Sequence, residues 1–195
     1  MISTASFPQY ELSINSPKLG WAEQDPEEWW TCVIEVTKLL LDKCNIDKSK
    51  VVSIGIAYQM HGLVALDKNF KVVRPSIIWC DSRAVQTGEE IAEIVTEQAC
   101  YEKLLNLPGN FTFSKLCWMQ KNEANSYSDT CHVMLPGDFI AMKMTGLIST
   151  TPSGLSEGTM WDFTTDKSAL FLFRAMGIEQ DLIPKVKSTF SDQGQ

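Results

Sequence analysis

Residues 53–62 read Ser53, Ile54, Gly55, Ile56, Ala57, Tyr58, Gln59, Met60, His61 and Gly62. Val52, Ile54 and Ile56 alternate with Ser53, Gly55 and Ala57, so one face is bulky and the other nearly bare. That alternation predicts a buried strand on which helices pack closely, and so an α/β sheet. The strand runs out into an amide, a thioether, an imidazole and a glycine. Open α/β sheets place their ligand-contacting groups beyond the carboxyl ends of strands. Gln59 to Gly62 is therefore the first candidate binding loop.

The flanking chain fits an α/β reading. Asp25 reads as an N-cap, Pro26 as the first helical residue and Glu28 as the third, which places acidic side chains at the positive end of a helix. Trp29, Val33, Val36 and Leu40 recur at helical spacing, so the helix should run to about Lys43. Before it, residues 2–14 carry a loose β pattern (Phe7, Tyr10, Leu12, Ile14) closed by a turn at Asn15, Ser16 and Pro17. After the central strand, residues 63–66 and 70–73 flank Asp67, Lys68 and Asn69 and predict a hairpin.

Ser76, Ile77, Ile78 and Trp79 form a second short apolar run, which delivers Trp79, Cys80, Asp81, Ser82 and Arg83 at its end. A helix follows with Ile91, Ala92 and Val95 inward and Glu90, Glu93 and Glu97 outward. Thr112 reads as the cap of a helix carrying Phe113, Leu116, Cys117 and Gln120. A strand at 133–135 leads to a helix over 136–145 stopped by Gly146. Residues 149–159, rich in Ser, Thr and Gly, read as loop; a last helix is expected over about 166–176, before a polar tail.

A chain of 195 residues with 44% hydrophobic and 21% charged residues has the composition of one folded domain. The net charge of −7, with 17 scattered basic residues, opposes nucleic-acid binding, which needs Lys and Arg gathered on one face. Six cysteines without a CxxC pair, and only two histidines, give no zinc spacing and suggest reduced thiols. No leader-like N-terminus and no run of about 20 apolar residues is present, so the expectation is a cytoplasmic protein with no membrane contact.

Common phosphate-loop, dinucleotide and nucleophile-elbow motifs are absent. Taken singly, His61 reads as a turn histidine bonded to backbone, Trp79 as a core anchor, Asp81 as a helix cap and Arg83 as an outward ion-pair partner. Together they read differently. Two successive strand ends deliver an apolar platform with donors and acceptors, the chemistry of a polyol or sugar site.

The series 20–30 (GWAEQDPEEWW), 59–67 (QMHGLVALD), 74–83 (RPSIIWCDSR), 111–119 (FTFSKLCWM), 135–146 and 156–162 (SEGTMWD) resembles the FGGY family of carbohydrate kinases, in its order and spacing. The resemblance covers nearly the whole chain and implies that residues 1–195 form the N-terminal domain. That domain would be ribonuclease-H-like (actin-like ATPase), a mixed sheet flanked by helices and incomplete at its N-terminal hairpin. It implies that Met60 and His61 hold the sugar beside Gln59, that Trp79 walls the pocket, and that Asp81 and Arg83 stand close behind. Lys115 and Trp118 belong to the family signature and read as structural. Asn110 and Glu157 depart from the residues usual at their positions.

The implied reaction is transfer of the γ-phosphate of ATP, with Mg²⁺, to O5 of D-xylulose. A gluconate-phosphorylating member of the family is the enzyme alternative, with Gly62 favouring the pentulose. A non-catalytic sugar-binding or interaction module is the alternative from another class. The family's Asp-x-Gly-Thr turn and Gly-Gly-x-Asp base segment do not occur in this sequence. Asp138, after Pro136 and Gly137, begins a helix by the family's pattern and is not that base. The expectation is therefore half a site, inactive alone, with an unpaired strand edge that makes a homodimer a candidate assembly.

Overall fold

The computed structural model describes residues 3–44 and 47–195. The strand buried on both faces is β2, Val64–Leu66, and not residues 52–57. Alternation along β2 sends Leu63 and Ala65 into one core and Val64 and Leu66 into the other. The first core is closed by Ile77, Ile91, Phe113, Leu116, Met119 and Phe173, the second by Met134, Phe139 and Ile140 with Trp29 and Val33 against them. The domain is thus a three-layer α/β arrangement.

Antiparallel pairing builds the sheet. β1 (Glu23–Gln24) pairs with β3 (Ser76–Ile77), and β2 pairs with β4 (His132–Met134). A bridge between Leu63 and Ile77 joins the two ladders, giving the spatial order β1, β3, β2, β4. Among the described residues every ladder is antiparallel, and parallel pairing is confined to the Thr150–Val186 bridge. The mixed sheet anticipated from the sequence is not formed by these ladders.

Several local readings hold. α1 spans Pro26–Lys43, with the Glu27 N–H donating to Asp25 Oδ1 at 2.9 Å. The Asp67 carboxylate accepts from the Asn69 and Lys71 N–H groups at the hairpin turn. α2 (Val85–Val95) buries Ile91 and Ala92; α4 spans Thr112–Asn122, but Phe111 and not Thr112 stands at its cap position, and the Thr112 hydroxyl donates to the Gly62 carbonyl. α6 (Pro136–Thr145) ends on left-handed Gly146 at φ 71°.

Others are corrected. Residues 52–57 run extended with Val52 94% and Ile54 70% exposed, and no backbone group of 52–58 bonds to another among the described residues. An apolar alternation marks a segment suited to a sheet interior, but it does not supply the neighbour that would bury it. Residues 3–14 form no strand, and Met1 and Ile2 lie outside the described residues. The stretch read as loop at 149–159 contains α7, Pro152–Glu157, opened by Thr151 Oγ1 accepting from the Gly154 N–H and by Pro152 at its first position. Composition hid that cap-and-proline start. The outward helix breaks at Thr96, so Glu97 opens α3 (Glu97–Lys103). α5 (Ala124–Asp129) lacks any apolar stripe to announce it. A hairpin of β5 (Trp161–Asp162) and β6 (Lys167–Ser168) precedes α8, Leu170–Met176, which is shorter than the helix read there.

Candidate functional site

β2 and β3 lie antiparallel, so the loop entering the first and the loop leaving the second emerge on one edge. The Leu63 N–H donates to the Ile77 carbonyl at 3.0 Å, fixing their register. Two polar contacts then join the tips. Gln59 Oε1 accepts from the Trp79 N–H at 3.2 Å. Lys115, fully buried on α4, donates through Nζ to the His61 carbonyl at 2.6 Å and the Ile78 carbonyl at 3.0 Å. The ammonium staples both loops. Burial lowers its pKa to about 8, and the Asp81 carboxylate opposes that shift.

Four of the six residues read from the sequence meet at this edge. Trp79 is 59% and Met60 56% exposed, offering an apolar platform. Gln59 and His61 stand between them, part-buried. The His61 ring packs on Phe111 with centroids 4.1 Å apart. His61 adopts φ 61°, a left-handed conformation rare for a residue with a side chain. Its backbone N–H donates to Glu157 Oε1, and its Nδ1 lies 3.0 Å from the Glu157 carbonyl oxygen.

Asp81 and Arg83 turn the other way. Asp81 is fully buried and accepts from the Ala22 N–H at 2.6 Å and from Arg83 Nη2 at 2.7 Å. The Arg83 guanidinium lies 3.8 Å from the Trp21 ring centroid and 5.1 Å from that of Trp118, beside the edge-to-face pair the two indoles make, and pairs with Glu23 at 2.8 Å. Arg74 bridges Glu23 and Glu123 beside it. Every charge has an opposite partner, which is what makes such burial tolerable. Asn110 donates to the Asp81 carbonyl, tying the start of α4 to the Trp79 loop.

Three residues at the site were not read from the sequence as candidates: Tyr58, Asp138 and Glu157. Burial raises the pKa of all three, to about 7 for Asp138, and the Tyr58 hydroxyl lies against the Glu157 carboxylate. The Tyr58 ring packs on Gly137, where a Cβ would lie 2.2 Å from Cδ1. Only the departure of Glu157 from the usual serine signalled any of them.

The residues present do not fit ATP or Mg²⁺. Among the described residues no group of three or more His, Cys, Asp or Glu side chains is placed to hold a metal ion. The basic groups nearest the edge, Lys115 and Arg83, are committed to buried carbonyls and carboxylates. Two hollows lie elsewhere, one against the end of α1 and one beside the 67–73 turn.

The xylulose kinase of Klebsiella pneumoniae is 36% identical over 151 residues, covering 77% of this chain and 30% of that protein. That of Escherichia coli is 33% identical over 175 residues, covering 89% of this chain and 35% of that protein. The chain thus spans about a third of the length of these curated relatives. A solved structure described as a xyloylose kinase from Brucella ovis superposes at TM-score 0.83 with 28% identity, over 91% of this chain and 37% of that one. No helix of the described residues is long and apolar enough to cross a membrane. The model of the FGGY family of carbohydrate kinases, N-terminal domain, matches residues 3–195, and the chain belongs to that family.

Proposed function

We propose that this chain is the sugar-binding wall of a cytoplasmic, ATP-dependent kinase that phosphorylates D-xylulose at O5. One observation carries the reading: Lys115 clamps the His61 loop and the Trp79 loop into a single edge. On that edge Met60 and Trp79 offer apolar surface to the carbon skeleton of a pentulose, and Gln59 and His61 offer hydrogen bonds to its hydroxyls. Asp81 and Arg83 serve from behind as the ion pair that shapes the Trp79 loop. The names and lengths of the relatives support the rest. In this reading a ribonuclease-H-like core is shared with a longer protein, whose other parts provide the phosphate-binding turn, the catalytic base and the groups that meet ATP and Mg²⁺.

Titration of the ¹⁵N-labelled chain with D-xylulose, D-gluconate and glycerol tests this, because chemical shifts report weak binding to one wall. Saturable shifts of the Trp79 indole and His61 ring, strongest with D-xylulose, are expected. A stronger response to gluconate would transfer the assignment to the aldonate. Shifts of neither residue with any polyol would overturn the sugar-site reading.

A further inference from the structure

We propose that Glu157 is a positioning residue that fixes His61 as the Nδ1-protonated imidazole, so that Nε2 is presented as a hydrogen-bond acceptor for a substrate hydroxyl. The identity of the substrate rests on the sugar-site reading above; the state of the ring does not.

Glu157 grips His61 at two points. Its carboxylate accepts from the His61 backbone N–H, which secures the left-handed turn at φ 61°. Its backbone carbonyl lies 3.0 Å from Nδ1. A carbonyl oxygen only accepts, so the proton in that contact belongs to Nδ1, and a neutral ring then keeps its free lone pair on Nε2. The carbonyl is available because Glu157 is the last residue of α7, among the carbonyls with no partner inside a helix, and no other backbone N–H of the described residues takes it. Phe111 packs on the ring at 57° and opposes the flip that would exchange the two nitrogens.

Burial and the Lys115 ammonium favour the neutral ring, against the Glu157 carboxylate, whose Oε1 lies 3.6 Å from Nδ1. Burial pushes the His61 pKa down, the Glu157 carbonyl opposes this, and the Lys115 ammonium on α4 adds to it. Asp138 on α6 and Tyr58 lie one group further out, against Glu157. A neutral Nε2 lone pair accepts from a hydroxyl but gives nothing to a carboxylate or ketone oxygen, which are acceptors themselves. The position therefore selects a sugar hydroxyl.

Two-bond ¹H–¹⁵N correlation spectra of the ¹⁵N-histidine-labelled chain at pH 7.5 read the tautomer directly, without any ligand. The chain has two histidines, and His132→Gln assigns the second. Wild type and Glu157→Gln, which keeps the acceptor, are expected to show the Nδ1–H form. Glu157→Ala keeps the backbone carbonyl but loses the carboxylate that holds the His61 turn over it, so the variant, folded by circular dichroism, should show both tautomers and bind D-xylulose about fivefold to tenfold more weakly, the effect of about one hydrogen bond. An Nε2–H ring in wild type overturns the proposal even if Glu157→Ala fails to fold, and an unchanged tautomer in a folded Glu157→Ala overturns it too. An Nδ1–H ring that depends on Glu157, in a chain that binds no polyol, would support the positioning role and defeat only the sugar-site reading.

Discussion

Two polar clusters flank the buried Lys115, and their charges are paired to different degrees. On one side Asp81, Arg83, Glu23, Arg74 and Glu123 form a run of alternating charges, with Arg83 over the Trp21 ring and beside Trp118. On the other side His61, Glu157, Tyr58 and Asp138 share few opposite charges, and burial pushes each toward its neutral form. The first cluster spends its hydrogen bonds inward and holds backbone in place. The second keeps donors and acceptors beside the open edge. In this domain the paired charges hold the framework, and on the proposed reading the incompletely paired, part-buried groups are the ones that meet a ligand.

The sharpest way to separate the two roles is to remove Arg83. Arg83→Ala leaves Asp81 buried without its partner and should cost about 3–5 kcal/mol, measured by urea unfolding. Arg83→Lys should rescue only part of this, because an ammonium neither forks onto a carboxylate nor stacks on an indole. If Arg83→Ala kept its stability and lost only sugar binding, the paired cluster would be a contact surface after all.

Asp138 probes the other cluster through pH. Its folded pKa of about 7 lies above the ordinary carboxylate range near 4, so the native state holds the proton more tightly than the unfolded chain. The stabilisation is fully present below about pH 4 and is lost as pH rises through about 7, by up to about 4 kcal/mol in total. Asp138→Asn should flatten that slope in unfolding curves between pH 4 and 8, and leave the variant more stable than wild type at pH 8. An identical slope in both proteins would place the titration elsewhere.

Lys115 connects the clusters. Lys115→Met orphans the His61 and Ile78 carbonyls, and removing a buried ammonium partly offsets that loss. A net cost of about 2 kcal/mol is expected, within the 1–3 kcal/mol typical of an unsatisfied buried group. Hydrogen exchange should show both loops opening together. If only one loop loosened, the staple would not be the link between them. The smallest effect belongs to His61→Ala, which removes one hydrogen bond to ligand, worth about 0.5–1.5 kcal/mol net. It should raise the apparent Kd for D-xylulose, and lower the melting temperature slightly through the lost Phe111 and Glu157 contacts. An unchanged Kd would return His61 to the plain turn histidine that it resembles when read alone.

How much of this was legible depended on whether the determining physics was local. Asp25 and Pro26 announced α1, Gly146 closed α6 and Asp67 turned the hairpin, because each satisfies backbone groups within a few residues. The burial of 52–57 was misread because it depends on a neighbouring strand, which alternation cannot reveal. Gln59, Met60, His61 and Trp79 are legible as a group because the short apolar runs beside them mark the adjacent strands β2 and β3, although 59–61 enter β2 and do not follow a strand over 52–57. Asp81 and Arg83 were placed behind the pocket, but their partners Glu23, Arg74 and Glu123 come from distant parts of the chain. Glu157 lies 96 residues from His61 and sits in a stretch that composition assigned to loop. Long-range pairing of polar groups leaves no period in a sequence.

A crystal structure of the chain soaked with D-xylulose tests the central claim most directly. A pentulose lying on Trp79 and Met60, with one hydroxyl donating to His61 Nε2 and no atom touching the Asp81 or Arg83 side chains, is the predicted result. A sugar bound to the Arg83 guanidinium, or seated away from the edge that Lys115 holds together, would contradict it.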